Sequence, residues 1–278
     1  MQPELKAQLA EHARQIRLGV LTEVYSASSG HPGGSLSIAE ILSFLYFKEM
    51  RVSPETRQDD DRDRFVLSKG HCAPGLYAAL AERGYFSKDL LPGFRSSGSI
   101  LQGHAEMKGV PGVDMSTGSL GQGISAACGM AASAKIFGRP YNVYAVMGDG
   151  ELEEGQCWEA AMFAAHYKLD NLCAFIDFNG LQIDGEIVKV MNPTPIDKKY
   201  EAFGWNVVCV DGHDFDQLED AAAGFHMTKG KPTAIICKTT KGKGVSFMEN
   251  QAGWHGKAPN KEQYEQAMAE LGAPVAAK

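Results

Sequence analysis

The sequence lacks the features that would place the protein in a membrane, on a nucleic acid or outside the cell. No apolar run approaches the roughly 20 residues that a membrane helix needs, and the first twenty residues carry charges throughout, so no export signal is expected. Acidic side chains outnumber basic ones by 34 to 27, so electrostatics favours neither a nucleic acid nor an anionic membrane. The six cysteines include no CxxC pair, and they are predicted to be buried, reduced thiols in a cytoplasmic protein.

The composition is that of a globular chain. Hydrophobic residues make up 44% and charged residues 22% of the 278 residues, and this length is sufficient to bury a core. Residues 1–278 are therefore predicted to form one domain. The 31 glycines cluster between residues 93 and 123 and between residues 148 and 185, and these clusters are the candidate functional regions.

Hydrophobic periodicity predicts helices that alternate with short strands. The predicted helices are 4–25, 37–50, 74–83, 120–137, 155–167 and 215–227, and the predicted strands are 65–67, 143–147, 172–176, 207–210 and 233–237. This alternation predicts an α/β fold with a parallel sheet and helices on both faces. Helix 120–137 is rich in Ala and Gly and is expected to be buried. The long loop 96–118 is expected to bind a ligand, and ligands of such sheets bind at the carboxyl ends of the strands.

Two predicted strands end in residues that suit a metal ion. Gly148-Asp149-Gly150 follows one strand, and Asn179 follows the next strand along the chain. A carboxylate and an amide oxygen in one crevice are ligands for Mg²⁺ or Ca²⁺, which would carry phosphate oxygens. A Gly-Asp-Gly sequence alone is explained equally well by a tight turn, and Asn179 favours the metal site.

Several motifs in order resemble one enzyme family. Gly148-Asp149-Gly150 followed by Asn179 resembles the metal-diphosphate motif of thiamine diphosphate enzymes. The neighbouring motifs resemble transketolases in order and spacing, and they are Gly30-His31-Pro32-Gly33, Gly70-His71, Gly103-His104, Ser116 to Gly123 and His255-Gly256. The similarity extends from about Ser28 to Pro259.

This resemblance implies a thiamine diphosphate-binding domain that holds the cofactor through Mg²⁺ or Ca²⁺. It implies metal ligation by the side chains of Asp149 and Asn179 and by the backbone carbonyl of Leu181. The other implied cofactor contacts are Gly118, Leu120, Gly148, Gly150, Ile183, His71 and His255. For apolar residues such as Leu120 and Ile183, simple core packing is an equally good explanation.

The resemblance also implies a catalytic group of histidines: His31, His71, His104 and His255. Cleavage of a ketose between C2 and C3 needs removal of the C3 hydroxyl proton, and imidazole titrates near neutrality. The positions of His31 and His255 imply proton transfer, whereas those of His71 and His104 imply contacts with donor hydroxyls or cofactor phosphate.

Three further positions have two interpretations. Glu154 matches a carboxylate at the subunit interface and is a catalytic candidate, but it also suits a solvated helix start. Lys241 and Lys243 could approach phosphate or form an exposed basic turn. His213 is expected to have only a structural role in a turn.

The resemblance to transketolases implies a transketolase subunit of the pentose phosphate pathway. Such an enzyme transfers a two-carbon ketol unit between sugar phosphates. The similarity does not extend to the pyrimidine-binding half, so the chain is expected to act with a separate C-terminal subunit, as a heterotetramer. One alternative is a specialised transketolase for a modified or branched sugar phosphate. Others are another thiamine diphosphate carboligase or 2-oxo acid dehydrogenase subunit, a non-catalytic scaffold, and a metal-dependent phosphohydrolase.

Overall fold

The computed structural model describes residues 1–273, and a parallel sheet lies at their centre. The strands in chain order are β1 (Arg64–Leu67), β2 (Val143–Gly148), β3 (Leu172–Phe178), β4 (Leu181–Gln182), β5 (Gly185–Glu186), β6 (Asn206–Asp211) and β7 (Thr233–Lys238). Five of them form the sheet in the order β1-β2-β3-β7-β6, with every neighbouring pair parallel. The remaining two, β4 and β5, form a short antiparallel hairpin.

Helices account for most of the remaining regular structure. They are α1 (Pro3–Ser26), α2 (Pro32–Leu36), α3 (Ala39–Phe44), α4 (Ala73–Arg83), α5 (Gln122–Phe137), α6 (Gly155–His166), α7 (Ile187–Val190), α8 (Ile196–Ala202), α9 (Phe215–Met227) and α10 (Lys261–Glu270). The predicted helix 37–50 is divided, because α3 is followed by a π-helical segment, Leu45–Glu49. Within residues 1–273, no helix is both long enough and apolar enough to cross a bilayer.

The two faces of the sheet pack against different helices. Successive residues of a strand point to opposite faces, so Tyr144 and Phe175 belong to one core with α1, α3, α4 and α9. The adjacent Ala145 and Ala174 belong to a second core with α5, α6 and α8. The predicted α/β fold with helices on both faces is therefore confirmed.

Two predictions about burial are wrong. Helix α5 buries only the face that carries Ile124, Ala127 and Ala131, while Ile136 and Phe137 at its end are 76% and 73% exposed. The Ala-rich composition suggested burial on all sides, but small residues also suit the half-covered surface of a helix. Five cysteines are buried free thiols as predicted, but Cys209 is exposed because it lies on the edge strand β6.

The register of the sheet brings the functional motifs together. Gly148 at the end of β2 is paired with Asp177 near the end of β3. Asp149 and Asn179 therefore leave the sheet side by side at its carboxyl edge, where α/β folds bind their ligands.

Candidate functional site

A cavity of about 330 Å³ opens at the carboxyl edge of the sheet. It is lined by His31, Gly34, Lys69, His71, Gly118, Leu120, Gly148, Asp149, Gly150, Glu151, Asn179, Leu181, Gln182, Ile183, Lys241 and His255. Eleven of the predicted site residues are in this lining. The loop, the two strand ends and the segments that carry histidine thus meet at one cavity.

Two predicted residues do not line the cavity. His104 is exposed, although its ring centroid lies 6.1 Å from that of His31. Glu154 is exposed at the start of α6, and its catalytic role remains a prediction. Ile183 lines the cavity at 64% exposure, which excludes simple core packing for this residue.

Asp149 is a buried carboxylate that is held by backbone amides. Its Oδ1 accepts the N–H of Gly150 at 2.8 Å, and its Oδ2 accepts the N–H of Gly180 at 2.6 Å. Burial, followed by the nearby charge of Asp177, raises the pKa of Asp149 to about 7. A cation beside Asp149 would offset this cost.

The other two oxygens predicted to bind metal come from the loop after β3. Asn179 donates its Nδ2 hydrogen to Asp177 at 2.9 Å, and its Oδ1 accepts the N–H of Leu181 at 3.0 Å. The carbonyl of Leu181 accepts a hydrogen bond from Lys241 at 3.0 Å. A carboxylate, an amide oxygen and a carbonyl are all oxygen donors, so this set suits Mg²⁺ or Ca²⁺.

This kind of site differs from a cluster of acidic or histidine ligands. Among residues 1–273, no group of three or more His, Cys, Asp or Glu side chains is arranged to hold a metal ion. A metal at Asp149 would therefore depend on neutral oxygens and on ligands from outside the chain. Gly150 packs closely against the β4–β5 hairpin, since a Cβ at this position would lie 3.2 Å from the Cβ of Gln182.

Three of the four predicted histidine rings lie together in the cavity lining. The ring centroid of His31 is 5.2 Å from that of His71 and 5.6 Å from that of His255, and the centroids of His71 and His255 are 5.3 Å apart. Burial is the main cause that lowers the pKa of His31 and of His71 to about 4. Burial, followed by the charge of Lys241, lowers the pKa of His255 to about 3, so these three rings are neutral at pH 7.

One nitrogen of this cluster has no partner. Nδ1 of His31 is buried and has no hydrogen-bond partner within residues 1–273. Buried polar atoms are normally paired, so an unpaired atom in a ring that lines a cavity indicates a place for a ligand group. This observation fits a polyhydroxylated substrate or a cofactor.

Lys241 determines which nitrogen of His255 carries the proton. Its Nζ lies 3.0 Å from Nδ1 of His255, and an ammonium group has no acceptor. Nδ1 must then accept, and Nε2 of the neutral ring carries the hydrogen. Burial, followed by the charge of Lys69, lowers the pKa of Lys241.

The two lysines of the 241–244 segment have different environments. Lys241 lines the cavity at 2% exposure, whereas Lys243 lies outside the lining, 3.6 Å from Glu249. The interpretation as an exposed basic turn is wrong for Lys241. Lys243 is only partly exposed.

Three buried charged residues of the site were not predicted: Lys69, Glu151 and Asp177. Lys69 donates to Asp177 at 2.5 Å and to the carbonyl of Gly34 at 2.8 Å. Burial alone would raise the pKa of Asp177, but Lys69 and the hydroxyls of Thr239 and Ser37 lower it. The position of Lys69 directly before Gly70-His71 was the available signal.

Glu151 supports the backbone around the cavity. Its carboxylate accepts hydrogen bonds from the hydroxyl of Ser68 at 2.5 Å and from the N–H groups of Gly121 and Gly148 at 2.9 and 3.0 Å. Burial raises its pKa. Glu151 therefore joins three segments that line the cavity.

Comparisons with known proteins agree with this architecture. The family described as the transketolase, thiamine diphosphate binding domain matches residues 9–277. The 6-deoxy-6-sulfo-D-fructose transketolase subunit SqwG of Clostridium sp. (strain MSTE9) is 45% identical over 96% of this chain and 98% of its own length. An apulose-4-phosphate transketolase subunit from Phocaeicola vulgatus is 45% identical over 89% of this chain and 88% of its own length.

Solved structures show the same fold. The transketolase from Leishmania mexicana superposes with a TM-score of 0.91 at 35% identity, covering 97% of this chain. This chain spans 42% of the length of that transketolase. It therefore belongs to the transketolase family and is an enzyme subunit built on the thiamine diphosphate-binding domain of that family.

Proposed function

We propose that this chain is the N-terminal subunit of a split transketolase, with residues 1–278 as one cofactor-binding domain. The enzyme transfers a two-carbon ketol unit from a ketose phosphate to an aldose phosphate. The observation that carries this proposal is the group of neutral histidines in the same cavity as three oxygen donors that suit Mg²⁺.

The cavity has the groups that a diphosphate and its metal require. Asp149, Asn179 and the carbonyl of Leu181 would hold Mg²⁺ or Ca²⁺, and Gly150 would allow the diphosphate to approach the backbone. When it is bound, thiamine diphosphate supplies the electron sink that allows the C2–C3 bond of the donor sugar to break. The remaining work of this chain is to bind, to orient and to move protons.

His31 is the proposed base. Its ring is neutral at pH 7, and its buried Nδ1 has no partner among the described residues. It can accept the proton of the C3 hydroxyl as the bond breaks, and it can return a proton to the carbonyl oxygen of the acceptor aldose. The ring of His71 lies on one side of this position, with its centroid 5.2 Å from that of His31.

His255 is the proposed donor of a hydrogen bond. Because Lys241 occupies Nδ1, the hydrogen on Nε2 is available to the ligand. Such a fixed tautomer orients a substrate hydroxyl or a phosphate oxygen without any rearrangement. His71 and His104 are proposed to bind donor hydroxyls or cofactor phosphate, and Glu154 is proposed to act at the subunit interface.

The proposed partner is a C-terminal transketolase subunit, in a heterotetramer with twofold symmetry. Two relatives at 45% identity are each named as one subunit of a transketolase, which supports a second chain. Ile183 at the rim of the cavity would be covered on assembly. The free thiols within residues 1–273 support a reducing compartment, and we place the enzyme in the cytoplasm.

The substrate has two candidates. Pentose phosphates are the first, because they are the ordinary substrates that the family resemblance implies. The second is a modified or branched sugar, since one relative is named for 6-deoxy-6-sulfo-D-fructose and another for apulose 4-phosphate.

An assay with both subunits tests the proposal. The chain would be measured alone and with a C-terminal transketolase subunit, in the presence of Mg²⁺ and thiamine diphosphate. The donors would be xylulose 5-phosphate, 6-deoxy-6-sulfo-D-fructose and apulose 4-phosphate, with ribose 5-phosphate and glyceraldehyde 3-phosphate as acceptors. Ketol transfer only in the mixture is the expected result. Full activity of the single chain would contradict the partner, and activity only on 2-oxo acids would contradict the reaction.

A further inference from the structure

His213 lies outside the cavity, at the point where β6 ends. Its backbone N–H donates to Oδ1 of Asp211 at 2.9 Å. The preceding Gly212 brings the end of β6 close to the end of β7, because a Cβ at Gly212 would lie 2.6 Å from Cγ2 of Thr239. The imidazole therefore stands beside the segment that leaves β7 and leads to Lys241.

Both ring nitrogens of His213 have partners. Nε2 accepts the backbone N–H of Thr240 at 2.9 Å, and Nδ1 lies 2.9 Å from Oε2 of Glu40. A backbone N–H can only donate, so Nε2 is the unprotonated nitrogen and Nδ1 donates to Glu40. The imidazole thus connects a carboxylate on α3 to the residue next to Lys241.

Glu40 is a fixed anchor for the imidazole. Its Oε2 also accepts a hydrogen bond from Nη2 of Arg17 at 2.6 Å, and both side chains are almost fully buried. Burial alone would raise the pKa of Glu40, but the hydrogen bond from His213 and the charge of Arg17 lower it to about 2. Glu40 is therefore an anion, balanced by Arg17, throughout the physiological pH range.

The segment that His213 contacts holds the ammonium of Lys241 in a buried position, where the charge is poorly hydrated. The buried ammonium would gain hydration by turning outward, as Lys243 does two residues later. Backbone hydrogen bonds oppose this, since Gly242 donates to the carbonyl of Gly33 and the carbonyl of Lys241 accepts from Asn250, each at 2.9 Å. At Thr240, the imidazole of His213 accepts the backbone N–H at 2.9 Å, and the carbonyl accepts the N–H of Lys243 at 3.2 Å.

We propose that His213 is a positioning residue: by accepting the N–H of Thr240 at Nε2, it fixes the turn that carries Lys241 and so sets where Lys241 meets His255. This deepens the proposed function and rests on it for the activity measurements only. The chemical consequence is that the tautomer of His255 depends on a residue at the far side of the turn.

Two substitutions distinguish the contributions of the two ring nitrogens of His213. The amide nitrogen of Asn reaches the position of Nδ1 and would keep the contact with Glu40. The amide oxygen of Gln reaches the position of Nε2 and would keep an acceptor for Thr240. We expect H213N to lose the positioning and H213Q to retain it, with Lys243→Ala as a control on the same turn.

The first measurement is hydrogen exchange of the full chain without cofactor. The amides of residues 239–250 are expected to exchange about tenfold faster in H213N than in the parent, and at close to the parental rate in H213Q and Lys243→Ala. Equal protection in H213N and the parent would overturn the proposal. Equal loss in H213N and H213Q, with a lower urea midpoint in both, would also overturn it by showing a merely structural role.

The second measurement concerns the cofactor. With Mg²⁺ and the C-terminal subunit, the apparent Kd for thiamine diphosphate is expected to rise about tenfold in H213N and to change by less than about threefold in H213Q. An unchanged Kd in H213N would overturn the proposal. A parent that binds the cofactor but transfers no ketol unit would instead contradict the proposed function, and the exchange measurement would still decide the role of His213.

Discussion

The ammonium of Lys69 lies 2.5 Å from Oδ2 of Asp177, and both side chains are almost fully buried. The same carboxylate oxygen accepts the amide hydrogen of Asn179 at 2.9 Å and the hydroxyl of Ser37 at 2.7 Å. Asp177 therefore turns the amide of Asn179 so that its oxygen faces away from the carboxylate. One buried ion pair thus lies directly behind a proposed metal ligand.

Lys69→Met is expected to destabilise the chain by about 3–5 kcal/mol, because it leaves the carboxylate of Asp177 buried without its cation. The double variant Lys69→Met with Asp177→Asn removes both charges and should recover much of this loss. Urea unfolding of the parent, the two single variants and the double variant measures the coupling. Equal midpoints for Lys69→Met and the double variant would contradict a coupled pair.

Lys241→Met is expected to weaken thiamine diphosphate binding by about ten- to a hundredfold, since a charge-assisted hydrogen bond to His255 is lost. The freed His255 can then adopt either tautomer, so kcat should fall as well. Lys243→Met is the matched control, because Lys243 lies outside the cavity and only approaches Glu249. Titration of cofactor fluorescence and steady-state kinetics with the C-terminal subunit would check both effects. Parental affinity in Lys241→Met would contradict the role of Lys241.

Asp149→Asn is expected to abolish the stabilisation of the chain by Mg²⁺ and thiamine diphosphate, because the only charged ligand of the proposed set is removed. Without the metal, the variant should be as stable as the parent or more so at pH 8. Burial has raised the pKa of Asp149 to about 7, so the charged form is unfavourable in the folded state. Asp184→Asn, at an exposed position in the hairpin, is the control. A rise in Tm on adding Mg²⁺ and cofactor to Asp149→Asn, equal to that of the parent, would contradict this assignment.

Sequence reasoning predicted the five strands of the sheet and most helices, because hydrophobic period and segment length indicate them, but it did not predict the short hairpin of β4 and β5. Helix α9 has the predicted bounds, Phe215–Met227, and Asp149 and Asn179 could be paired because parallel strands end at one edge. Short motifs were sufficient to identify the site residues that lie on turns next to a glycine. Their roles came from the family resemblance and remain predictions.

Other features could not be predicted because they depend on contacts between distant segments. Lys69 and Asp177 are 108 positions apart, and no local pattern indicates that they pair. Lys241 and Lys243 lie two residues apart in one glycine-containing segment, and tertiary packing decides which of them is buried. How much of α5 is exposed depends on which other segments pack against it. The hydrophobic pattern of the chain does not contain this information.

The neutral histidines should make the cofactor-free chain less stable in acid. The pKa is lowered to about 4 in His71 and His31 and to about 3 in His255, against about 6.5 for an unfolded chain. Between these pKa values the unfolded state binds more protons than the folded state. The contribution of these histidines to stability is therefore fully present above about pH 6.5, and it falls as the pH decreases toward about 4. Below the folded-state pKa values, no further loss comes from these groups.

A comparison of variants isolates the histidine contribution from that of Asp149, whose raised pKa acts in the opposite direction. Urea midpoints of the parent and of His71→Asn would be measured from pH 7.5 to pH 4.5. The parent should lose more stability than His71→Asn between pH 6.5 and 4.5, because the variant has no imidazole to protonate at that position, while Asp149 contributes equally to both. His166→Asn, on the exposed side of α6, should follow the parent. If the curves of His71→Asn and the parent run parallel over this range, burial does not hold His71 neutral, and a neutral histidine cluster at the cavity would have to be abandoned.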